Sequence, residues 1–157
     1  MLWFVLLLAQ SAVPTQIDRG EAIFMDPARG CAGCHALKGK GTAVGPDLKE
    51  IARLSPKGIA MAVRSTVTQY VQVIKLKSGR SFPGMPPSAD RTYDLSKTPP
   101  EPVNAPAVEV ASISPNNGWR HPPSLAKFSS DEMADVIAYI RFAGANNRQP
   151  VSPSDIQ

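Results

Sequence analysis

Two cysteines and a histidine lie together in the sequence, and their types and spacing indicate the chemistry they can support. Cys31 and Cys34 are the only cysteines among the 157 residues, and His35 follows directly. Two thiols separated by two residues can each form a thioether with a vinyl group of haem, and the adjacent imidazole then lies under the iron. The Cys-x-x-Cys-His pattern therefore predicts a single, covalently attached haem c with His35 as an axial ligand.

Three other uses of these cysteines fit the pattern less well. A zinc site would have to combine both cysteines with His35 and His121, and that set matches no zinc-finger spacing. A thioredoxin-like redox pair follows a β-strand, whereas residues 16–25 have helical periodicity. A disulfide between the two cysteines would close a very small loop, contribute little stability and leave His35 unexplained.

Composition and charge are those of a single globular domain. The chain has an ordinary domain length and 43% hydrophobic residues, so one core is expected and a second is not. The net charge of +4 becomes smaller once the haem propionates are counted. Because the sequence has neither a long basic run nor basic residues interleaved with aromatic ones, we expect no nucleic-acid partner.

An apolar segment begins the chain. Residues 1–9 are apolar, and residues 10–12 are small or polar. A helix that spans a bilayer needs about twenty apolar residues, so this segment suits the core of a signal peptide better, although it lacks the usual basic start. We expect residues 1–12 to be a signal peptide and the protein to be exported, either to the periplasm or to the extracytoplasmic side of a membrane. An uncleaved apolar segment that anchors or docks the protein is the alternative.

Helical periodicity and capping residues predict three helices. The first begins at Gln16 and ends before Pro27. The second begins after Ser55 and continues as far as Tyr70. The last begins after Ser129, which starts a capping box, and runs for about fourteen residues.

The middle of the chain has a different pattern. Residues 71–76 and 81–82 predict two strands joined by a Ser-Gly turn, and residues 108–113 predict another short strand. Ten of the sixteen prolines lie from Pro83 to Pro123, which excludes a helix there. Since this stretch has too few apolar residues for its own core, we expect an extended or polyproline-like chain over the surface.

In this order the features resemble the class I cytochrome c family over nearly the whole mature length. The resemblance implies an all-α cytochrome c fold with an inserted β-hairpin and a Pro-rich extended segment. Residues 13–157 would form the cytochrome c domain, with the insertion at about 71–118. The features that carry the resemblance are Gly20 with Phe24, the motif at 31–35, the loop at 45–48 and the final helix around 133–140.

The resemblance also implies specific contacts around the haem motif. In that family the first and last helices cross at the glycine, which here would be Gly20 against the region of Tyr139. The loop would place Pro46 beside His35, and the carbonyl of Gly45 or Pro46 would accept a hydrogen bond from the imidazole N–H.

The second axial ligand is left open between two residues. The family usually has a methionine and a proline before the final helix, and this chain has His121 there. His121 would give a bis-histidine haem with a lower reduction potential than a thioether ligand gives. Met85 is the alternative ligand, and a site without a second protein ligand is the third. Trp119 would shield the haem, donate to a propionate or simply cover a small core.

A haem with two protein ligands excludes substrate from the iron and leaves outer-sphere electron transfer. We therefore expect an electron carrier, or the carrier subunit of a respiratory or redox complex, without enzymatic activity or a small-molecule substrate. Such a subunit would meet a membrane through that complex or through the N-terminal segment. Two alternatives stay open: a haem-based sensor or enzyme with an open sixth site, and a structural subunit of a cytochrome assembly.

Basic residues predict a rim that steers acidic redox partners: Lys38, Lys40, Lys49, Arg53, Lys57 and Arg64.

Overall fold

The structure is a computed structural model that describes most of the chain. The signal peptide predicted for residues 1–12 lies outside the described residues. No helix in the described part is both long and apolar enough to cross a membrane. The described residues are 14–28, 31–65, 70–88, 90–121 and 128–157.

Three helices begin where their capping residues predict. Thr15, Ser55 and Ser129 each accept a hydrogen bond from an N–H in the first turn of the helix that follows. The first and last of these also form capping boxes with an acidic residue three positions on, so two exposed N–H groups are satisfied at each start. The helices are α1 (Gln16–Met25), α2 (Pro56–Arg64) and α3 (Ser130–Ala145).

α2 is shorter than the sequence predicts. It ends at Arg64 because Ser65 has an extended backbone, and the Arg64 guanidinium donates to the carbonyl of Ile156 at 3.1 Å. Tyr70, expected on its apolar face, is exposed. Val67 was predicted on the same face and lies in residues 66–69, outside the described part.

α3 forms the centre of the main core, because eight consecutive residues in its middle are buried. α1 crosses it at Gly20, where a β-carbon would lie 2.9 Å from Tyr139 Cβ and closer still to the Asp135 carbonyl. The rings of Phe24 and Tyr139 pack with their centroids 5.4 Å apart. Beside the crossing, Arg19 donates two hydrogen bonds, of 2.7 and 2.9 Å, to the Asp135 carboxylate. The predicted crossing of the first and last helices is confirmed.

The C-terminal segment returns along the helices. α3 ends at Ala145 and is capped by Asn146, whose φ of 54° is left-handed. The stop signals in the sequence are Gly144 and the pair Asn146 and Asn147. Gly144 lies within the helix, and Ala52 packs against it too closely for any side chain at that position. Beyond the helix, the backbone of Val151 exchanges hydrogen bonds of 3.0 and 2.7 Å with the Gln16 side chain, which fastens the tail to α1.

Seven strands in three antiparallel sheets account for much of the remaining described chain. β1 and β2 form a short hairpin after the haem motif, β3 lies between β4 and β7, and β5 pairs with β6. The strands are β1 (Ala36–Leu37), β2 (Lys40–Gly41), β3 (Gln72–Leu76), β4 (Ser81–Gly84), β5 (Arg91–Asp94), β6 (Glu101–Asn104) and β7 (Val110–Pro115).

The predicted all-α fold class is therefore wrong. The hairpin of β3 and β4 and the strand near Ile113 are present as predicted, but the Pro-rich stretch also contributes β5 and β6. A second core, which composition did not predict, forms where Ile74 and Phe82 pack with Val103. Few apolar residues suffice because this small core combines side chains from three separate strands.

A buried carboxylate joins the two sheets of this β region. Asp94 accepts hydrogen bonds from the Ser96 hydroxyl and N–H, at 2.6 and 3.0 Å, and from the Arg80 guanidinium at 2.9 Å. Burial raises the pKa of Asp94, but these hydrogen bonds outweigh burial and hold the pKa below its usual value. Arg80 also lies over the Phe82 ring, so the ion pair is continuous with the second core.

Substitution of Gly20 tests the helix crossing. Gly20→Val should lower the free energy of unfolding by about 3 kcal/mol, because the new side chain meets the backbone of α3. Ala22→Val, on the exposed side of α1, is the control and should cost about 0.5 kcal/mol. Denaturant unfolding of the haem-loaded protein measures both, and equal losses would contradict the close crossing.

The Asp94 contacts predict a pH-dependent stability. Asp94→Asn should lower the free energy of unfolding by roughly 2 kcal/mol at neutral pH, through loss of charged hydrogen bonds. Because the folded pKa is depressed, this contribution is complete above the unfolded pKa of about 4 and is lost as pH falls through the folded value. Glu101→Gln removes the exposed carboxylate near the same arginine and should change the free energy of unfolding little, at neutral or at acidic pH. A difference between wild type and Asp94→Asn that persists in strong acid would refute the assignment.

Candidate functional site

The Cys-x-x-Cys-His motif forms a tight turn directly after α1. Residues 31–33 are a 3-10 turn, and the N–H groups of Cys34 and His35 both donate to the Cys31 carbonyl, at 3.0 and 2.8 Å. The β1–β2 hairpin then turns the chain back. At its end Gly41, with a φ of 90°, lies against the His35 carbonyl, where a side chain would collide. The backbone of the motif is thus held on both sides.

The following loop is bonded to the motif through the backbone. The N–H of Thr42 donates to the Ala32 carbonyl at 2.8 Å. The N–H groups of Val44 and Gly45 both donate to the Cys34 carbonyl, at 3.1 and 2.7 Å. These bonds bring the loop at 45–48 under the imidazole of the motif.

The His35 ring is fixed by this loop. Its Nδ1 lies 2.7 Å from the Pro46 carbonyl oxygen, which can only accept, so Nδ1 carries the proton and Nε2 is left as the metal-binding nitrogen. A β-carbon at Gly45 would lie 2.7 Å from Cε1 and 3.0 Å from Nδ1. The sequence left the carbonyls of Gly45 and Pro46 open as acceptors for the imidazole N–H. In the structure the acceptor is Pro46, and the absence of a side chain at Gly45 leaves room for the ring.

Before haem is attached, burial disfavours the thiolate form of both cysteines. Burial, and then the neighbouring Cys34, raise the pKa of Cys31 to about 11, and burial also raises the pKa of Cys34. Cysteine attacks a disulfide as the thiolate, so burial lowers the intrinsic reactivity of both thiols in redox exchange. Among the described residues, no group of three or more His, Cys, Asp or Glu could hold a metal ion.

A second histidine faces the first. The ring centroids of His35 and His121 lie 5.9 Å apart, with 44° between the ring planes. Two metal–nitrogen bonds of about 2 Å, plus roughly 1 Å from each nitrogen to its ring centre, would separate two axial imidazoles by about 6 Å. The separation therefore suits two histidines on opposite sides of one iron.

The environment of His121 keeps its imidazole neutral. Burial, and secondarily the facing His35, lower the pKa of His121 to about 4. Its Nδ1 is buried and has no hydrogen-bond partner among the described residues. A buried ring nitrogen without a partner is costly in a protein interior, and a neutral imidazole is the form that binds metal.

A short turn after β7 positions this histidine. The Asn116 side-chain oxygen accepts from the Trp119 N–H at 3.0 Å, and the Arg120 guanidinium donates to the carbonyls of Asn117 and Trp119 at 2.8 and 3.0 Å. The Trp119 ring meets the His121 ring edge-on, with centroids 6.2 Å apart. Sequence reasoning singled out Trp119 but missed Asn116, for which the Asn-Asn-Gly turn signal was available.

The chain matches the protein-family model described as Cytochrome c over residues 17–143. A search among curated proteins found no match. The chain belongs to the cytochrome c family. Membership implies covalent haem c, bound iron and haem-based electron transfer. Cytochrome c domains are typically extracytoplasmic.

The residues of this cytochrome c domain fit haem. The pair Cys31 and Cys34 has the required spacing, and the free Nε2 of His35 lies next to them. The His121 ring lies 5.9 Å from the His35 ring between centroids, and its neutral imidazole can bind metal. Met85, the alternative distal ligand, is half-buried just beyond β4, where its carbonyl accepts from the Thr92 hydroxyl at 2.6 Å. Residues 122 and 123, which complete the motif predicted around His121, lie outside the described part.

Gly45 provides a test of how the loop holds the proximal imidazole. Gly45→Ala should push the His35 ring away from Pro46, weaken the axial bond and give a mixed-spin spectrum in the oxidised cytochrome. Gly33→Ala lies within the haem motif itself, where a β-carbon meets nothing within 4 Å, and is the matched control. Optical spectra of both variants decide the matter, and two unchanged spectra would contradict the proposed support of His35.

Proposed function

We propose that this cytochrome is a class I, single-haem electron carrier with His35 and His121 as axial ligands. Thioethers from Cys31 and Cys34 would hold the haem. The observation that carries the proposal is the pair of facing imidazoles, 5.9 Å apart between ring centroids. An isolated loop histidine would have no reason to lie half-buried opposite the proximal ring.

The surrounding residues explain how such a site would work. When bound, haem supplies a reversible one-electron couple. The Pro46 carbonyl, by accepting from Nδ1, makes Nε2 of His35 a stronger donor. A nitrogen ligand from His121 favours oxidised iron more than a thioether sulfur does, so a low reduction potential is expected.

Closed coordination favours electron transfer over catalysis. With protein ligands on both sides, no position remains for a substrate, and we propose that the protein is not an enzyme. A gas sensor or a haem enzyme would instead need a displaceable or missing distal ligand. We also propose export, with residues 1–12 as the signal and about 71–118 as an insertion in the domain.

Basic residues near the haem motif support docking to acidic redox partners, but over a smaller area than the sequence predicted. Lys40 pairs with Glu21, which neutralises part of the rim. Lys38 and Arg53 border a cavity of about 300 Å³ at the end of α3, together with Lys49. Lys49 lies 3.8 and 3.9 Å from the carboxylates of Asp47 and Glu50. We therefore propose that Lys38 and Arg53 are the part of the rim that steers acidic partners.

Variants of both candidate ligands test the proposed coordination. His121→Ala should turn the oxidised haem high-spin and allow carbon monoxide to bind the reduced form, because one axial position is vacated. Met85→Ala should remain low-spin and unreactive. Absorption spectra with and without carbon monoxide measure both. The opposite pattern would make Met85 the ligand. Carbon monoxide binding by the wild type would refute the proposed electron carrier, because it would show that the sixth position is accessible.

Ionic strength tests the docking surface. Reduction by an acidic redox protein should slow about tenfold from low to physiological salt, because screening weakens the attraction. At low salt, Lys38→Gln with Arg53→Gln should also slow it, whereas Lys75→Gln, on the exposed side of β3, should not. Stopped-flow rates measure this, with a small neutral reductant as control, and a salt-independent rate would remove the proposal.

A further inference from the structure

The β region has one protected edge and one open edge. β4, at one side of the three-stranded sheet, contains Pro83, and the Pro83 carbonyl accepts from the Leu95 N–H at 2.8 Å. β7 lies at the other side, and within the described residues no strand other than β3 pairs with it. Proline and covering chain are common ways to block an edge. β7 has a proline only at its last residue, Pro115, and residues 111–115 are exposed within the described part of the chain.

An apolar row crosses this sheet and ends at the open edge. Phe82 pairs with Ile74, and Ile74 pairs with Ile113, so the three side chains lie on one face. Their exposed fractions are 3%, 0% and 43% in that order. Ile113 is exposed because the row has no fourth strand beside it. Val108, just before β7, is also exposed, at 69%.

One face of β7 is apolar, and the other carries hydroxyl groups. Ile113 lies on the face that continues the second core, while Ser112 and Ser114 lie on the other, opposite Lys75 and Val73 of β3. Residues 110–115 include no charged side chain. An antiparallel copy of the same strand would therefore place apolar beside apolar and hydroxyl beside hydroxyl, with no like charges opposed.

We propose that the outer edge of β7 pairs with the same edge of a second copy of this chain. Antiparallel pairing of one strand with itself is two-fold symmetric, so it closes as a dimer instead of growing into a filament. The two sheets would join into one of twice as many strands, and each Ile113 would be covered by the partner's strand. Because a single short edge buries little area, the dimer is weak and its population depends on concentration.

This inference does not depend on the haem ligands, since the pairing edge belongs to the sheet alone. It does bear on the site, because the turn that carries His121 follows β7 directly. A partner strand would limit the motion of β7 and hence of that turn. It also gives the β region a role in assembly, which was one of the alternatives open from the sequence.

Sedimentation velocity of the haem-loaded protein over a concentration series tests the proposal. Wild type should shift from monomer towards dimer as concentration rises. Ile113→Lys should raise the concentration for half-dimerisation by at least about tenfold, because two lysines would meet at the edge. Met61→Lys makes the same change at a 65% exposed residue of α2 and should behave as wild type.

Two results would overturn the proposal. A wild type that stays monomeric throughout would show that the edge does not pair with a second copy. A dimer that survives Ile113→Lys would place the interface elsewhere. If the Ile113→Lys variant lacks the wild-type visible spectrum, amide hydrogen exchange of the wild type replaces it as the test. The β7 amides should then exchange more slowly as the protein concentration rises. Exchange rates that do not change with concentration would refute the pairing.

Discussion

The close crossing of α1 and α3 at Gly20 is the contact on which the rest of the structure depends. Without a side chain at this position, the two backbones approach closely enough for Phe24 to pack on Tyr139 and for Arg19 to reach the buried Asp135 carboxylate. α1 leads within a few residues into the Cys-x-x-Cys-His turn. The crossing thereby fixes where the proximal imidazole lies relative to the core.

The two facing histidines come from different parts of the molecule. His35 is held by the helical part, through the Pro46 carbonyl and the room left by Gly45. His121 follows β7 and is oriented by a turn in which Asn116 bonds the Trp119 N–H. The β region is therefore more than a surface addition, because it supplies one side of the candidate site.

Local signals in the sequence predicted local structure well. Ser55 and Ser129 gave correct helix starts, and the Ser-Gly turn correctly predicted that β3 and β4 form a hairpin. The extra sheet was not predictable in the same way, because Val103 reaches the second core only by packing against Ile74 and Phe82, which belong to the other sheet. The close approach of Ala52 to Gly144 was likewise not predictable, because it joins parts of the chain that are distant in sequence.

The near-infrared spectrum of the oxidised, haem-loaded wild type tests the central claim most directly, since it distinguishes nitrogen from sulfur ligands. With His35 and His121 on the iron, the account predicts a low-spin haem without the sulfur-to-iron charge-transfer band. A sulfur band would contradict it and assign the sixth position to methionine. A high-spin spectrum would contradict it as well, and would mean that the sixth position is open.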